Sequence, residues 1–224
     1  MNGTDRTIRV TGTATVSAKA DVTRIRMTVN GTDMEYEGAI HRCAENHRDM
    51  RDRLESVGLD RDGLRTESQK VVPHYEDVPY EDHEGRQRTK RVRQGFEYSD
   101  VLVFEFPTDN ETLGRMLTIV LKAPCKPDVT IGFASSDPEG SRREALGLAA
   151  EDARRKAEML ASALGIGLDC VMDVSYGSAP WMGHNGTEEM CLCSSMAIGD
   201  AIEPDIDPQD VSFTETVEVV WRIR

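Results

Sequence analysis

Residues 137–165 read DPEGSRREALGLAAEDARRKAEMLASALG, and this stretch predicts a long helix around which the neighbouring strands fold. Asp137 is placed to cap the helix N-terminus with its carboxylate, and Pro138 suits the first helical position, where its missing N–H costs nothing. Gly165 supplies the left-handed conformation that ends a helix. A helix over residues 138–164 would be roughly 40 Å long. That is long for a small domain, so one end is expected to project or to pack on a neighbouring subunit.

One face of this helix is apolar and consists largely of alanine. Its members recur at three- and four-residue steps, which places them on one side of a helix. Three alanines spaced four apart form a ridge of small side chains, and such a ridge lets a helix approach a sheet closely. We therefore predict a core helix. The predicted buried face comprises Leu146, Ala149, Ala153, Ala157, Leu160 and Leu164.

The alternation of apolar and polar residues predicts strands on both sides of this helix. The first two, at residues 7–17 and 22–30, are joined by only four residues, which favours a hairpin. Residues 34–57 change to a helical period. His47 on this helix fits a hydrogen-bonded core or boundary position better than a ligand position. The predicted stripe comprises Tyr36, Ile40, Cys43, His47, Met50, Leu54 and Val57. The predicted order is β-β-α-β-β-α-β-α-β-β, an α+β fold whose mainly antiparallel sheet is packed by two long helices and one short helix.

A chain of 224 residues is long enough for one large domain or two small intertwined ones. We interpret residues 1–224 as a single domain with two irregular segments. Residues 74–94 are acidic first and basic afterwards, which predicts a charged hairpin arm whose two sides neutralise each other. Residues 177–208 show no regular period and are predicted to form an irregular loop.

The composition excludes some partners and favours one compartment. The net charge of -13, from 27 basic and 40 acidic residues, argues against nucleic-acid binding, which needs a positive surface. No apolar run approaches the roughly 20 residues of a membrane-spanning helix, and the N-terminus lacks the apolar segment of a signal peptide. The odd number of cysteines, 5, suits a reducing compartment. These features predict a cytoplasmic protein, or a periplasmic one if a leader was removed.

The search for chemistry finds one weak candidate, a metal site. Cys191 and Cys193 form a Cys-x-Cys pair with His184 nearby, and such ligands bind zinc or copper(I). Structural zinc sites have two ligand pairs and only one is present, so free thiols are the favoured interpretation. Trp181 and Met182 in the same loop are candidates for an exposed apolar contact. No phosphate-binding signature or catalytic motif is found, so no cofactor and no enzymatic activity are predicted.

Four stretches together resemble the SIMPL-domain family, which includes bacterial periplasmic and outer-membrane-associated immunogenic proteins. The helix at 137–165 is the most specific of them, and Ala44-Glu45-Asn46 in the first helix adds to the resemblance. The stretches are IRVTGTATVSAKAD at 8–21, RTESQKVVPHY at 65–75, SSDPEGSRREALGLAAEDARRKAEMLASALGIGL at 135–168 and VSFTETVEVVWRI at 211–223.

The resemblance implies an α+β domain that assembles into higher oligomers, in some members a ring- or channel-like particle. It implies no catalytic residues, and links the family to stress tolerance and to signalling complexes. We therefore predict a non-enzymatic, oligomer-forming structural or interaction protein whose first partner is itself. The alternative is a small-ligand or metal-binding protein that uses the loop at 177–208.

Overall fold

The computed structural model describes residues 6–81, 84, 86–177, 190–192 and 204–224. Within these residues the elements follow the predicted order, and the α+β class is confirmed. Two small elements are added, a 3-10 turn at Arg61–Gly63 and a short strand within the segment predicted to be irregular. The strands are β1 (Thr7–Ala18), β2 (Val22–Asp33), β3 (Arg65–Glu81), β4 (Gln87–Pro107), β5 (Asp128–Ala134), β6 (Leu168–Tyr176), β7 (Met190–Leu192) and β8 (Val211–Ile223), and the helices are α1 (Tyr36–Ser56), α2 (Asn110–Leu121) and α3 (Pro138–Leu164).

The chain divides into two compact units that alternate along the sequence. Unit 1 comprises Met1–Asp21, Phe133–Thr187 and Pro208–Arg224, and unit 2 comprises Val22–Gly132 and Glu188–Asp207. The strands form two sheets, one ordered β1-β8-β6 and the other β3-β4-β2-β5-β7. The interpretation of residues 1–224 as one domain stays a prediction.

The predicted hairpin between the first two strands is wrong. β1 pairs antiparallel with β8 from Thr7↔Arg222 to Ala18↔Val211, whereas β2 pairs antiparallel with β4. The short link made a hairpin the economical choice, but the C-terminal strand matches β1 along its whole length. Cross-strand threonine pairs, such as Thr15 with Thr214 at 2.8 Å between hydroxyl oxygens, add to that match.

In unit 1 the alanine ridge of α3 lies on the sheet, as predicted. Ala149, Ala153 and Ala157 are fully buried and pack in one cluster with apolar side chains of β1 and β8. Gly12 on β1 makes this approach possible, because a Cβ there would overlap the Ala149 carbonyl oxygen and the Ala153 N–H. The predicted caps of α3 are also confirmed. Asp137 accepts a hydrogen bond of 2.8 Å from the Gly140 N–H, and Gly165 has a φ of 66°.

The predicted buried face of α3 is wrong at its C-terminal end. Leu160 is 44% exposed and Leu164 is 67% exposed, although both lie on the ridge side of the helix. The reason is that α3 packs against β1 and β8 and barely contacts β6. Ala145 and Ala161 extend the buried ridge in place of the two leucines.

In unit 2, α1 lies against β2 and β4, and α2, which contacts α1, adds a further set of buried apolar side chains. Ile25, Met27 and Val29 of β2 are buried, as their alternation predicted. The stripe predicted for α1 holds at Cys43, Met50 and Leu54. It is wrong at its N-terminal end, where Tyr36 is 50% exposed and Ile40 is 41% exposed.

Two further local features complete unit 2. Asp109 caps the N-terminus of α2, since its carboxylate accepts the Thr112 N–H at 2.7 Å. β3 and β4 pair from Arg65↔Val103 out to Glu81↔Gln87, well beyond the end of β2. None of the helices in the described part of the chain combines the length and the apolarity that a membrane span requires.

Candidate functional site

The predicted metal site lies almost entirely outside the described residues. His184 and Cys193 are not described, and neither are Trp181 and Met182. Cys191 belongs to β7, where its backbone is opposite Thr130 of β5, and nothing is described of its side chain. Among the described residues, no group of three or more histidine, cysteine or acidic side chains is arranged to hold a metal ion.

The largest concentration of exposed apolar side chains in unit 1 is on consecutive elements, the end of α3 and the strand β6. We call it the α3–β6 surface. Val174 and Tyr176 stand opposite Val219 and Val217 of β8, so they share the face of the sheet on which α3 lies. Its members are 44% to 70% exposed: Leu160, Leu164, Val171, Val174 and Tyr176.

This exposure follows from the packing of α3 rather than from fraying of the strand. The helix covers β1 and β8, which leaves β6 with apolar side chains that no described element covers. The start of β6 is held firmly. Asp169 binds the guanidinium groups of Arg222 and Arg224 at 2.6 and 2.9 Å, and Gly167 and Arg224 exchange two backbone hydrogen bonds. The hydrogen bond from Arg222, together with Arg224, lowers the pKa of the Asp169 carboxyl.

β6 is also an edge strand. In the sheet of unit 1 it pairs with β8 on one side, and no other described strand pairs with it. An edge strand presents backbone N–H and C=O groups in a row, which is a template for another strand. The α3–β6 surface therefore combines apolar side chains with backbone groups suited to sheet extension.

A second polar feature lies in the core of unit 2, between α1 and β4. Asp100 is completely buried, and one of its carboxylate oxygens is hydrogen-bonded to Nε2 of His47. Among the described residues, the other oxygen, Oδ1, has no hydrogen-bond partner. Burial raises the pKa of the Asp100 carboxyl, and the pairing with His47 opposes that rise. His47 is therefore a hydrogen-bonded boundary histidine, the more favoured of the two interpretations from the sequence.

Sequence reasoning missed Asp100, although a signal was present. Tyr98, Leu102 and Phe104 alternate as buried residues of β4, and Asp100 occupies the same face. A carboxylate at an inward position of such a strand needs a partner, and His47 on the apolar stripe of α1 was the available one.

The chemistry open to this buried group is limited by its enclosure. Cys43, one helical turn before His47, is fully buried, and burial raises the pKa of its thiol. A nucleophilic cysteine needs the opposite shift and access to substrate. The thiol of Cys43 therefore lacks the environment of a nucleophile.

A shallow cavity of about 310 Å³ lies where β2 ends and the arm of β3 and β4 begins. Its ionisable side chains already contact one another: Arg42 binds Asp33 at 2.7 Å, and His74 lies 3.6 Å from Glu76. We assign it no ligand. The lining residues are Thr32, Asp33, Met34, Arg42, His74, Glu76 and Gln94.

Comparison with known proteins identifies the family. The model of the SIMPL family, described as a protein of unknown function (DUF541), matches residues 8–221, which is nearly the whole chain. The protein belongs to this family, as the resemblance predicted. No curated protein matches the chain. A crystal structure of an unknown protein from Galdieria sulphuraria is similar over 90% of this chain and 84% of that chain, at 12% identity and a TM-score of 0.23, and nothing is inferred from it.

Proposed function

We infer that this protein is a non-enzymatic interaction module that associates with further copies of itself through the α3–β6 surface. The observation that carries the proposal is the exposure of Leu160, Leu164, Val174 and Tyr176 on two elements that are otherwise well anchored. Apolar patches of this kind on a folded surface are typical of protein–protein contacts.

The surface suits a second copy because it complements itself. Around a two-fold axis each copy presents the same patch to the other. Two β6 strands running antiparallel would join the three-stranded sheets of two copies and bring their apolar side chains together. Complete burial of a large apolar side chain contributes roughly 1.5–3 kcal/mol, so half-exposed side chains on both copies supply a substantial driving force. The resemblance to family members that form higher oligomers also supports the proposal.

The test compares three single variants with the wild-type protein by size-exclusion chromatography with light scattering, from about 1 to 100 μM. Leu160→Glu and Val174→Glu each place a charge in the proposed interface, where burying an unpaired charge is costly. Both are expected to reduce the assembly to smaller species. Leu148→Glu is the matched control: Leu148 is 43% exposed on the same helix but faces away from the alanine ridge. It is expected to leave the mass unchanged.

Two results would overturn the proposal. One is that the wild type is a monomer at every concentration. If Leu160→Glu also lowered the melting temperature of that monomer, the α3–β6 surface would be covered by another part of the same chain. The other is an equal loss of mass in Leu148→Glu, which would show a general effect of added charge. Circular dichroism spectra of all variants establish that each is folded.

Two narrower predictions accompany this proposal. A cytoplasmic location stays a prediction from the sequence, which fractionation of the source cells tests. Ligand or metal binding by residues 177–208 also stays a prediction, because no observation in the described residues favours it. Elemental analysis of the native protein and of the Cys191→Ser and Cys193→Ser variants tests it.

A further inference from the structure

The charged arm of unit 2 has one open edge. β2 pairs with β4 only from Phe96 onward, where Phe96 stands opposite Asp33. Residues 87–95 of β4 therefore pair with β3 on one side, and no described strand pairs with them on the other. β3 forms the opposite edge of the arm. The arm is thus a two-stranded ribbon with two edges, and these edges differ.

The β3 edge is protected by proline. Pro79 stands directly opposite Thr89, and Pro73 stands opposite Phe96. A hydrogen-bonded antiparallel pair exchanges two N–H···O bonds, which a proline cannot do because it has no N–H. Pro79 and Thr89 must therefore form a non-hydrogen-bonded pair, in which the backbone groups of both residues point away from the partner strand and out of the ribbon. Along the β3 edge, the missing N–H groups of Pro73 and Pro79 interrupt the row of donors that a further strand would need.

The β4 edge has no such interruption. Thr89 directs its N–H and C=O outward for the reason just given, and Arg91, two residues further, does the same. No proline lies between residues 87 and 95. A row of backbone donors and acceptors is consequently available on this side of the arm.

The charge of the β4 edge selects among strands. The basic side chains of this segment are exposed and lie on both faces of the ribbon. Asp77 of β3 stands opposite Arg91, whereas Arg88, Lys90 and Arg93 stand opposite Tyr80, Val78 and Tyr75. Arg91 lies over the ring of Tyr75 at 4.9 Å, and Arg93 lies over the ring of Phe96 at 5.4 Å, which orders two of the guanidinium groups. A second copy of the same strand would bring like charges together, whereas an acidic strand would not. The basic residues of the segment are Arg88, Lys90, Arg91 and Arg93.

We propose that residues 87–95 of β4 bind an extended acidic peptide segment of a partner protein by strand addition. The backbone hydrogen bonds to Thr89 and Arg91 provide the common part of the affinity, and the basic side chains select for acidic residues. This site is in unit 2 and is independent of the proposed self-association, because none of its residues belongs to the α3–β6 surface.

The experiment measures fluorescence anisotropy of a labelled ten-residue peptide of alternating glutamate and valine, added to the full chain. A peptide of alternating lysine and valine is the charge control. We expect the acidic peptide to bind and the basic one not to bind. In Thr89→Pro the outward N–H is removed while every charge remains, and binding is expected to weaken roughly tenfold or more. Thr89→Val keeps the N–H and should bind like the wild type.

A second set of measurements uses the wild-type protein, so it remains decisive even if Thr89→Pro does not fold. Two acidic peptides are N-methylated at alternate residues, one at the odd positions and one at the even positions. In an added strand only one set of N–H groups faces the arm. One peptide should therefore lose binding and the other should retain it.

Three outcomes overturn the proposal. In the first, the acidic peptide fails to bind the wild-type protein. In the second, Thr89→Pro binds the acidic peptide with full affinity and the wild type binds both methylated peptides with full affinity, so that charge alone holds the peptide. In the third, the basic peptide binds as well as the acidic peptide. The double variant Lys90→Glu, Arg91→Glu tests the charge separately. This variant is expected to bind the acidic peptide more weakly. Its mass in light scattering is expected to equal that of the wild type.

Discussion

At the scale of single residues, two carboxylates of this protein are in opposite electrostatic situations. Asp152 on α3 accepts the Thr13 N–H at 3.1 Å and pairs with Lys156 at 2.6 Å and with Arg155 at 2.7 Å. The hydrogen bond from Lys156, followed by those from Thr13 and Arg155, lowers the pKa of its carboxyl. Asp100 is completely buried, which raises the pKa of its carboxyl, and in the described part of the chain His47 is its only hydrogen-bond partner. Asp152 thus joins α3 to β1 favourably, whereas the ionised form of Asp100 is held at a cost.

The pH dependence of stability should reveal this cost in the variant Asp100→Asn. A group whose folded pKa is raised contributes stability that is fully present below its unfolded pKa, about 3.9 for aspartate, and lost as the pH rises through the folded pKa. We therefore expect the stability difference between Asp100→Asn and the wild type to shift in favour of the variant as the pH rises from 4 to 7. Urea unfolding at four pH values measures it.

The control for this prediction is Asp128→Asn, which removes an exposed carboxylate of β5. Its free energy of unfolding should differ little from that of the wild type. The prediction would be contradicted if Asp100→Asn became less stable relative to the wild type as the pH rises from 4 to 7. It would mean that attraction to His47 outweighs the burial of the charge.

At the scale of elements, the position of α3 is decided by small side chains. The ridge of Ala149, Ala153 and Ala157 approaches the sheet where Gly12 leaves space. Close packing of this kind has little tolerance for extra volume. The same narrow ridge also explains the α3–β6 surface: a helix seated tightly over β1 and β8 cannot cover β6 as well.

Overpacking of the ridge is therefore expected to destabilise the protein. Ala153→Leu should lower the free energy of unfolding by ~1–3 kcal/mol, measured by chemical or thermal denaturation. Ala150→Leu is the matched control, because Ala150 is exposed on the same helix and leucine has nearly the same helix propensity as alanine. Equal melting temperatures for the Ala153→Leu variant and the wild type would show that the ridge does not bear on the sheet.

At the scale of the whole molecule, the chain crosses between its units at residues 21–22, 132–133, 187–188 and 207–208, and it builds each unit from separated segments. Each unit offers a different kind of surface: unit 1 an apolar edge, and unit 2 a basic edge. The first is proposed for copies of the same chain and the second for an acidic partner. The proposals are separable because their residues do not overlap.

Self-association makes a further prediction for the intact protein. Binding between folded copies stabilises the folded state by mass action, so the melting temperature should rise with protein concentration. We expect an increase of several degrees for the wild type between about 1 and 100 μM, measured by differential scanning fluorimetry and calorimetry. In Leu160→Glu the melting temperature should be nearly independent of concentration. A wild-type melting temperature that does not change with protein concentration would contradict self-association.

The sequence by itself determined the local structure, because that structure depends on neighbouring residues. The cap at Asp137, the stop at Gly165, the alanine ridge and the order of the elements all follow from short-range spacing and capping chemistry. The family also followed from local stretches. Of the proposed surfaces, the sequence showed the charges of the arm, whereas it predicted that Leu160 and Leu164 are buried.

Only the tertiary structure decided which elements meet. It separated β1 from β2, because pairing with the distant β8 cannot be read from a four-residue link. It exposed Leu160 and Leu164, since a helical period shows a common face but not where the partner surface ends. It joined His47 to Asp100, 53 positions apart, and left the β4 edge open beyond Asp33. Long-range pairing depends on the closure of the whole chain, so burial, pKa shifts and open edges appear only once the fold is complete.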